Sequence, residues 1–206
     1  MNLYSFPKTR HARTEQPIQH RDYRAFKPTL RREFRERCVY CCAPDAGLTD
    51  GYGVDHYRPK SLFPDLIRSY GNLFYSCNSC NARKGPFWPG PKEEQAGHFV
   101  PNPCEHVMFG HLRYRQGAVE ARTPAGEFTL KLLDLNNPAA VGHRNATLAV
   151  LQAATEKRME AADVLKSLLE KRSTGQVTGP AIDAAVVQAR GVIDRLYSAI
   201  RVLTGG

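Results

Sequence analysis

Four cysteines stand in two Cys-x-x-Cys pairs, Cys38 with Cys41 and Cys77 with Cys80, and the run Asp55-His56-Tyr57-Arg58-Pro59-Lys60 lies between them. Thiolates in closely spaced pairs suit a tetrahedral Zn2+, because each pair supplies two ligands from one turn and the metal closes the long loop between the pairs. Cys42 and Cys104 have no such spacing, and the Cys38 to Cys41 interval selects Cys41 over its neighbour Cys42 as the ligand. Six cysteines would also make three disulfides, but in a reducing compartment the paired spacing reads as a metal site.

The enclosed segment carries the reactive groups. Phosphodiester hydrolysis takes an activated water in line with the leaving oxygen and a cation that offsets charge at phosphorus. His56 suits the first task, since an imidazole with its ordinary pKa of ~6.5 is neutral often enough to accept a proton. A carboxylate such as Asp55, holding a divalent ion, suits the second. Neighbouring residues of a regular strand point to opposite faces, so Asp55 and His56 converge on one phosphate only at a strand end or bulge.

The elements that must position these groups can be read on either side. Residues 1 to 27 show no clear periodicity and read as an irregular basic arm. Pro28 opens a short helix with Leu30 and Phe34 on one side and Arg31, Arg32, Arg35 and Arg37 around the rest. The stretch 43 to 53 is turn-rich, Val54 to Tyr57 reads as a short strand, and a helix running from the second cysteine pair through Lys84 is stopped by Gly85-Pro86. Five prolines make residues 86 to 103 an extended strap under which Phe87 and Trp88 pack. HLRYR and AVEAR flank Gly117 as a hairpin, while EFTLKLLDLNN fits a strand or a helix. From about Ala139 the chain turns helical. Leu148, Leu151, Met159, Ala162, Leu165 and Leu169 mark one apolar face, and Ile182, Val186, Ala189, Ile193, Leu196, Ile200 and Leu203 recur at alternating steps of four and three beyond a break at 173 to 180. The expected organisation is thus a basic arm (1–27), a catalytic core with its zinc (28–103), a β-rich or mixed extension (104–138) and a C-terminal helical hairpin (139–206).

Charge follows the same division. The 206 residues carry a net +9, and residues 1 to 37 hold ten Lys or Arg against four acids. A basic arm beside a hydrolytic core fits a phosphate backbone, from which Lys and Arg displace counterions. No stretch approaches the ~20 apolar residues of a membrane span, and the first residues lack the apolar core of a secretory signal. A cytoplasmic protein is expected.

Asp55-His56, Asn72, and Cys77-Asn-Ser-Cys80-Asn81-Ala-Arg-Lys84, enclosed by the cysteine pairs, resemble the HNH endonucleases with their ββα-metal fold. The resemblance implies an α+β chain whose HNH core is stapled by a zinc held on four cysteines. It implies His56 as general base, Asp55 as a ligand of the catalytic ion, and Asn72 as the amide that ties the loop and orients His56. Many members carry a metal-binding His after the second cysteine pair; this chain has Asn81, whose carbonyl oxygen favours Mg2+ or Mn2+ at the catalytic site. More narrowly, KPTL, CVYC, DHYRPKS, YGNLFYSCNSCNARKG and LDLNN followed by Arg144 are similar to bacterial HNH proteins encoded beside ATPases in anti-phage systems of the Septu type and in some retrons. That likeness implies DNA as substrate, Arg58 and Lys60 as phosphate contacts, Lys84 as a further cation at the site, and an ATPase subunit docking on the C-terminal helices; the basic helix adds Arg31, Arg32 and Arg35 as nucleic-acid contacts. The alternative is a non-catalytic zinc-stabilised module that binds nucleic acid, which leaves the co-occurrence of Asp55, His56, Asn72 and Asn81 without a reason.

Overall fold

Helix α1 (Lys27–Glu33) carries Pro28 in its first turn, tolerated because the first N–H groups of a helix have no partner within it. Leu30 is fully buried and Phe34 nearly so. The helix ends in a Schellman arrangement, with Glu36 N donating to Arg31 O at 2.7 Å and Arg35 N to Arg32 O at 2.9 Å. The contact that usually fastens such an end is apolar; here the Arg31 guanidinium bonds both carboxylate oxygens of Glu36 at 2.9 and 3.0 Å. This computed structural model describes residues 3–45 and 51–204, so the centre of the turn-rich stretch 43–53 lies outside the described residues.

Strand β1 (Tyr52–His56) pairs antiparallel with β2 (Leu73–Cys77), with His56 opposite Leu73 and Tyr52 opposite Cys77. The run Leu73-Phe74-Tyr75-Ser76 is buried without alternation: α1 and α2 both pack against β2, and Arg13 of the arm lies over Phe74. Helix α2 (Asn78–Lys84) follows β2 directly, its first turn capped by the Cys77 sulfur, and it stops at Gly85, which takes φ 51°. Strand, strand and helix therefore come as one ββα unit with the 57–72 loop on the hairpin.

The strap is extended apart from one turn of helix, α3 (Pro91–Gln95). Next come α4 (Met108–His111), the hairpin β3 (Leu112–Arg115) and β4 (Ala118–Ala121), and α5 (Pro124–Leu132). The open choice for EFTLKLLDLNN resolves as helix: Thr123 caps Gly126 N at 3.1 Å, and Pro124 sits in the first turn. LDLNN is a clasp. Asn136 exchanges two hydrogen bonds of 2.8 Å with the backbone of Val119, and Asn137 caps Ala140 N at 2.8 Å. Buried Arg144 donates to the carbonyls of Gly117 and Leu135 at 2.7 and 2.8 Å.

The N-terminal arm is woven into this core. Leu3, Tyr4 and Phe6 are buried, and Phe6 stacks on Tyr114 at 5.0 Å. The Arg13 guanidinium lies among Phe34, Tyr70 and Phe74 and donates to Leu73 O at 2.7 Å. These residues are kept from solvent phosphate by packing.

Helix α6 (Pro138–Ser173) leaves the first compact unit at Asn145; residues Ala146–Thr204 form the second. Within it, α7 (Pro180–Thr204) buries Ile182, Val186 and Ala189 and half-buries Ile193, Leu196, Ile200 and Leu203, the face read from its periodicity. The α6 face differs. Leu151 is buried, but Met159 is 60% exposed and Ala162 and Leu169 also face solvent; the covered positions are Ala154, Arg158, Ala161, Leu165 and Leu168. A strict three-four step from Leu151 reaches those residues, whereas Met159, Ala162 and Leu169 each fall one position beyond it. Among the described residues, no helix is long and apolar enough to cross a membrane.

Candidate active site

The two cysteine pairs meet. Cys38 and Cys41 lie on a tight turn after α1, where Cys42 N donates to Cys38 O at 2.8 Å and Cys42 takes φ 55°; Cys77 ends β2 and Cys80 sits in the first turn of α2. The four sulfurs lie within 4.8 Å of one another, with Cys41 and Cys77 at 3.9 Å. Zn–S bonds of about 2.3 Å in a tetrahedron put sulfurs about 3.8 Å apart, so the donor set fits zinc. Burial pushes the Cys38 thiol up, while hydrogen bonds from Cys38, Cys41 and Cys80 hold Cys77 down. A divalent ion would replace the protons these thiols share. Cys42 stays outside the cluster, its thiol pushed up to about 12 by burial.

Asp55 and His56 end β1 and part company there. The Asp55 carboxylate is 3% exposed and accepts from the Tyr40 hydroxyl at 2.5 Å. Lys84, from the last turn of α2, brings its ammonium to 3.2 and 3.1 Å from the two carboxylate oxygens and 2.8 Å from His56 O. A buried carboxylate needs such partners, and here one is itself a cation. The oxygens as arranged do not fit a divalent ion at Asp55 unless the Lys84 ammonium leaves. Lys84 is thereby placed inside, 2% exposed, rather than on the surface.

The His56 ring is held by the loop that β1 enters. Its Nε2 lies 3.0 Å from Ile67 O, and a carbonyl can only accept, so Nε2 carries the proton and Nδ1 is left as the basic nitrogen. Burial lowers the His56 pKa, which keeps the ring neutral. Asn72 bolts the same loop: it accepts from Arg58 N at 2.8 Å, donates to Arg58 O at 3.0 Å, and reaches Leu66 O, next to Ile67, at 3.4 Å. The Tyr23 ring stands edge-on to His56 at 4.5 Å, and the Lys60 ammonium lies 5.7 Å from the Tyr23 ring.

The other sequence candidates fall in different places. Asn81 is half-buried on α2, its amide 3.5 Å from Val54 O. Arg58 is exposed with its guanidinium over Trp88 and Phe63 at 5.4 and 5.7 Å, and Trp88 in turn packs on Tyr57. Arg31 is tied to Glu36 and, at 3.0 Å, to Asp45. Arg32 is paired with Glu15 at 3.4 Å, whereas Arg35 is exposed. Sequence reasoning missed Tyr40 and Tyr23: Tyr40 is a spacer residue between two ligands, and Tyr23 belongs to a segment without period.

No family model matches the chain, and no solved structure does. The chain is 31% identical over 102 residues to the Septu protein PtuB of Bacillus thuringiensis, an alignment that takes in 48% of this chain and 37% of that protein. The chain thus spans little more than a third of that relative's length.

Proposed function

We propose that this chain is an HNH-type endonuclease that hydrolyses phosphodiester bonds of DNA, and that it serves in anti-phage defence of the Septu type with an ATPase subunit. The observation that carries the reading is His56: a neutral imidazole at the end of β1, with Nε2 committed to Ile67 O and Nδ1 the remaining base, on a loop bolted by Asn72. In this reading Nδ1 takes a proton from water, the resulting hydroxide attacks phosphorus, and the 3′ or 5′ oxygen departs. Lys60 and Arg58, both exposed near the same loop, offset phosphate charge. Mg2+ or Mn2+ would supply Lewis-acid help, with Asp55 and Asn81 as the oxygen donors the family likeness assigns, at a site where the Lys84 ammonium now stands on Asp55. The Septu name of the PtuB relative supports the defence role. A zinc-stabilised binding module is the second reading, favoured by one observation: His56 is only 9% exposed and Asp55 is already neutralised.

Cleavage separates the two. The full chain incubated with duplex DNA and Mg2+ or Mn2+ is expected to cut, EDTA to stop it, and His56→Ala to slow it by about 10²- to 10⁴-fold with DNA affinity unchanged. No metal-dependent cleavage by the wild type would leave the binding module standing, and equal rates for wild type and His56→Ala would show that His56 is not the base.

A further inference from the structure

Helix α1 ends on an arginine where glycine is the favoured residue. Arg35 occupies the left-handed position of the Schellman end at φ 52°, and Glu36 beside it takes φ 56°. A side chain with a Cβ is strained there. What the arginine gains is a place on the wall of a cleft of about 780 Å³, formed between the N-terminal arm and the chain that leaves α1. Lys8, Arg10 and Arg37 line the same cleft, as do Arg32, paired with Glu15, and His11, 3.3 Å from Glu33, the one acid among its described lining residues. Glu33 is turned to structural use: its carboxylate accepts from the backbone N–H groups of Thr14 and Glu15 and from the hydroxyls of Thr14 and Tyr70. Arg10 and Arg35 are exposed, and the side chain of neither has a hydrogen-bond or ion-pair partner among the described residues.

Cations that outnumber the acids in a concave site focus a positive potential and bind chains of phosphate through counterion release. We propose that this cleft is a phosphate track that holds the backbone of a nucleic-acid strand, with Arg35 and Arg10 as its principal contacts. The track is built on the arm and the end of α1, whereas the hydrolytic centre is built on β1, α2 and the 57–72 loop. The phosphate chemistry stands on the cleft alone; the choice of nucleic acid over a free polyphosphate rests on the function proposed above.

The strain at Arg35 supplies a test in which affinity and stability move in opposite directions. Arg35→Gly in the full zinc-loaded chain is expected to bind a fluorescent DNA duplex about tenfold more weakly. Its log–log salt slope should be shallower by about 0.9, and its melting temperature higher by about 2 °C because glycine relieves the left-handed strain. Arg10→Gln should weaken binding likewise, and Arg115→Gln, which removes an equal charge at the end of β3, should not. Wild-type affinity and slope in both cleft variants overturn the track, and a lower melting temperature for Arg35→Gly overturns the claim that the arginine is kept against a conformational cost. Calorimetry with inorganic tripolyphosphate distinguishes the sources: if the variants lose tripolyphosphate while holding duplex as wild type does, the ligand is a free polyphosphate and the nucleic-acid assignment fails. The same titrations on His56→Ala protein read the cleft without any cleavage, so absence of nuclease activity and absence of the track are separate results.

Discussion

Lys84 is the residue on which the candidate site turns, because its ammonium already stands where a cation at Asp55 would be. Removing it strands a buried carboxylate, and breaking such a pair costs about 3–5 kcal/mol. Lys84→Met should therefore lower the denaturation midpoint sharply, while Asp55→Asn combined with Lys84→Met recovers most of the loss. Additive losses in that double-mutant cycle would show that the two groups are not coupled in the fold. Protons give a second reading at this scale. Burial lowers the pKa of His11, His56 and His111 from 6.5, so each stays neutral in the fold at pH values where the unfolded chain has already bound a proton. The histidine contribution to stability should be flat above about pH 7 and fall as pH drops through about 6.5, since the unfolded state then binds more protons. Glu33 acts lower: burial raises its pKa, but hydrogen bonds from Thr14, Glu15 and Tyr70 outweigh burial and bring it below 4.5, so its contribution is lost only in more acidic solution. A melting temperature constant from pH 7 to pH 5 would contradict the histidine reading.

Among the elements, the ββα unit depends on its cysteine staple and the seating of α5 against the end of α4 on one glycine. Elemental analysis should find about one zinc per chain. Cys77→Ser should unfold or aggregate the protein, as structural zinc contributes on the order of 10 kcal/mol to small folds; a zinc-free protein with an unchanged melting temperature would exclude the staple. At Gly126, a Cβ would collide with the His111 carbonyl, so Gly126→Ala should cost about 1–3 kcal/mol by chemical denaturation. The cysteine pairs, the helix that Gly85 stops, the Gly117 hairpin and the α7 face were all legible in the sequence, because each rests on local spacing or on a residue type with a conformational preference. The fate of EFTLKLLDLNN was not legible, since a short apolar run satisfies either period until its cap at Thr123 is weighed against its neighbours. Nor was the partnership of Asp55 with Tyr40 and Lys84, which joins residues 15 and 29 positions away through tertiary packing alone.

For the molecule as a whole, the arm alters what a truncation means. Deleting residues 1–14 removes buried Leu3, Tyr4 and Phe6 and half-buried Arg13, so it should produce an unfolded or aggregating protein rather than a weaker binder; a folded product with only a flatter salt dependence would show the arm to be a tail. In the second unit, Val186 is 3% exposed on α7, and Val186→Asp should abolish the helical circular-dichroism signal of that hairpin while leaving zinc content unchanged. The arm also carries a consequence in time. Phe6 stacks on Tyr114, the Phe109 N–H closes on Pro7 O at 3.0 Å, and the His11 N–H on Pro103 O at 2.8 Å. Because synthesis runs from the N-terminal side, these arm residues must wait for partners made about a hundred positions later. With synthesis at about 5–20 residues per second, that wait lasts roughly 5–20 s. For this interval the segment is an apolar stretch without a home, open to proteases and chaperones, and the residues of the ββα unit are all made before the piece that seats the arm arrives.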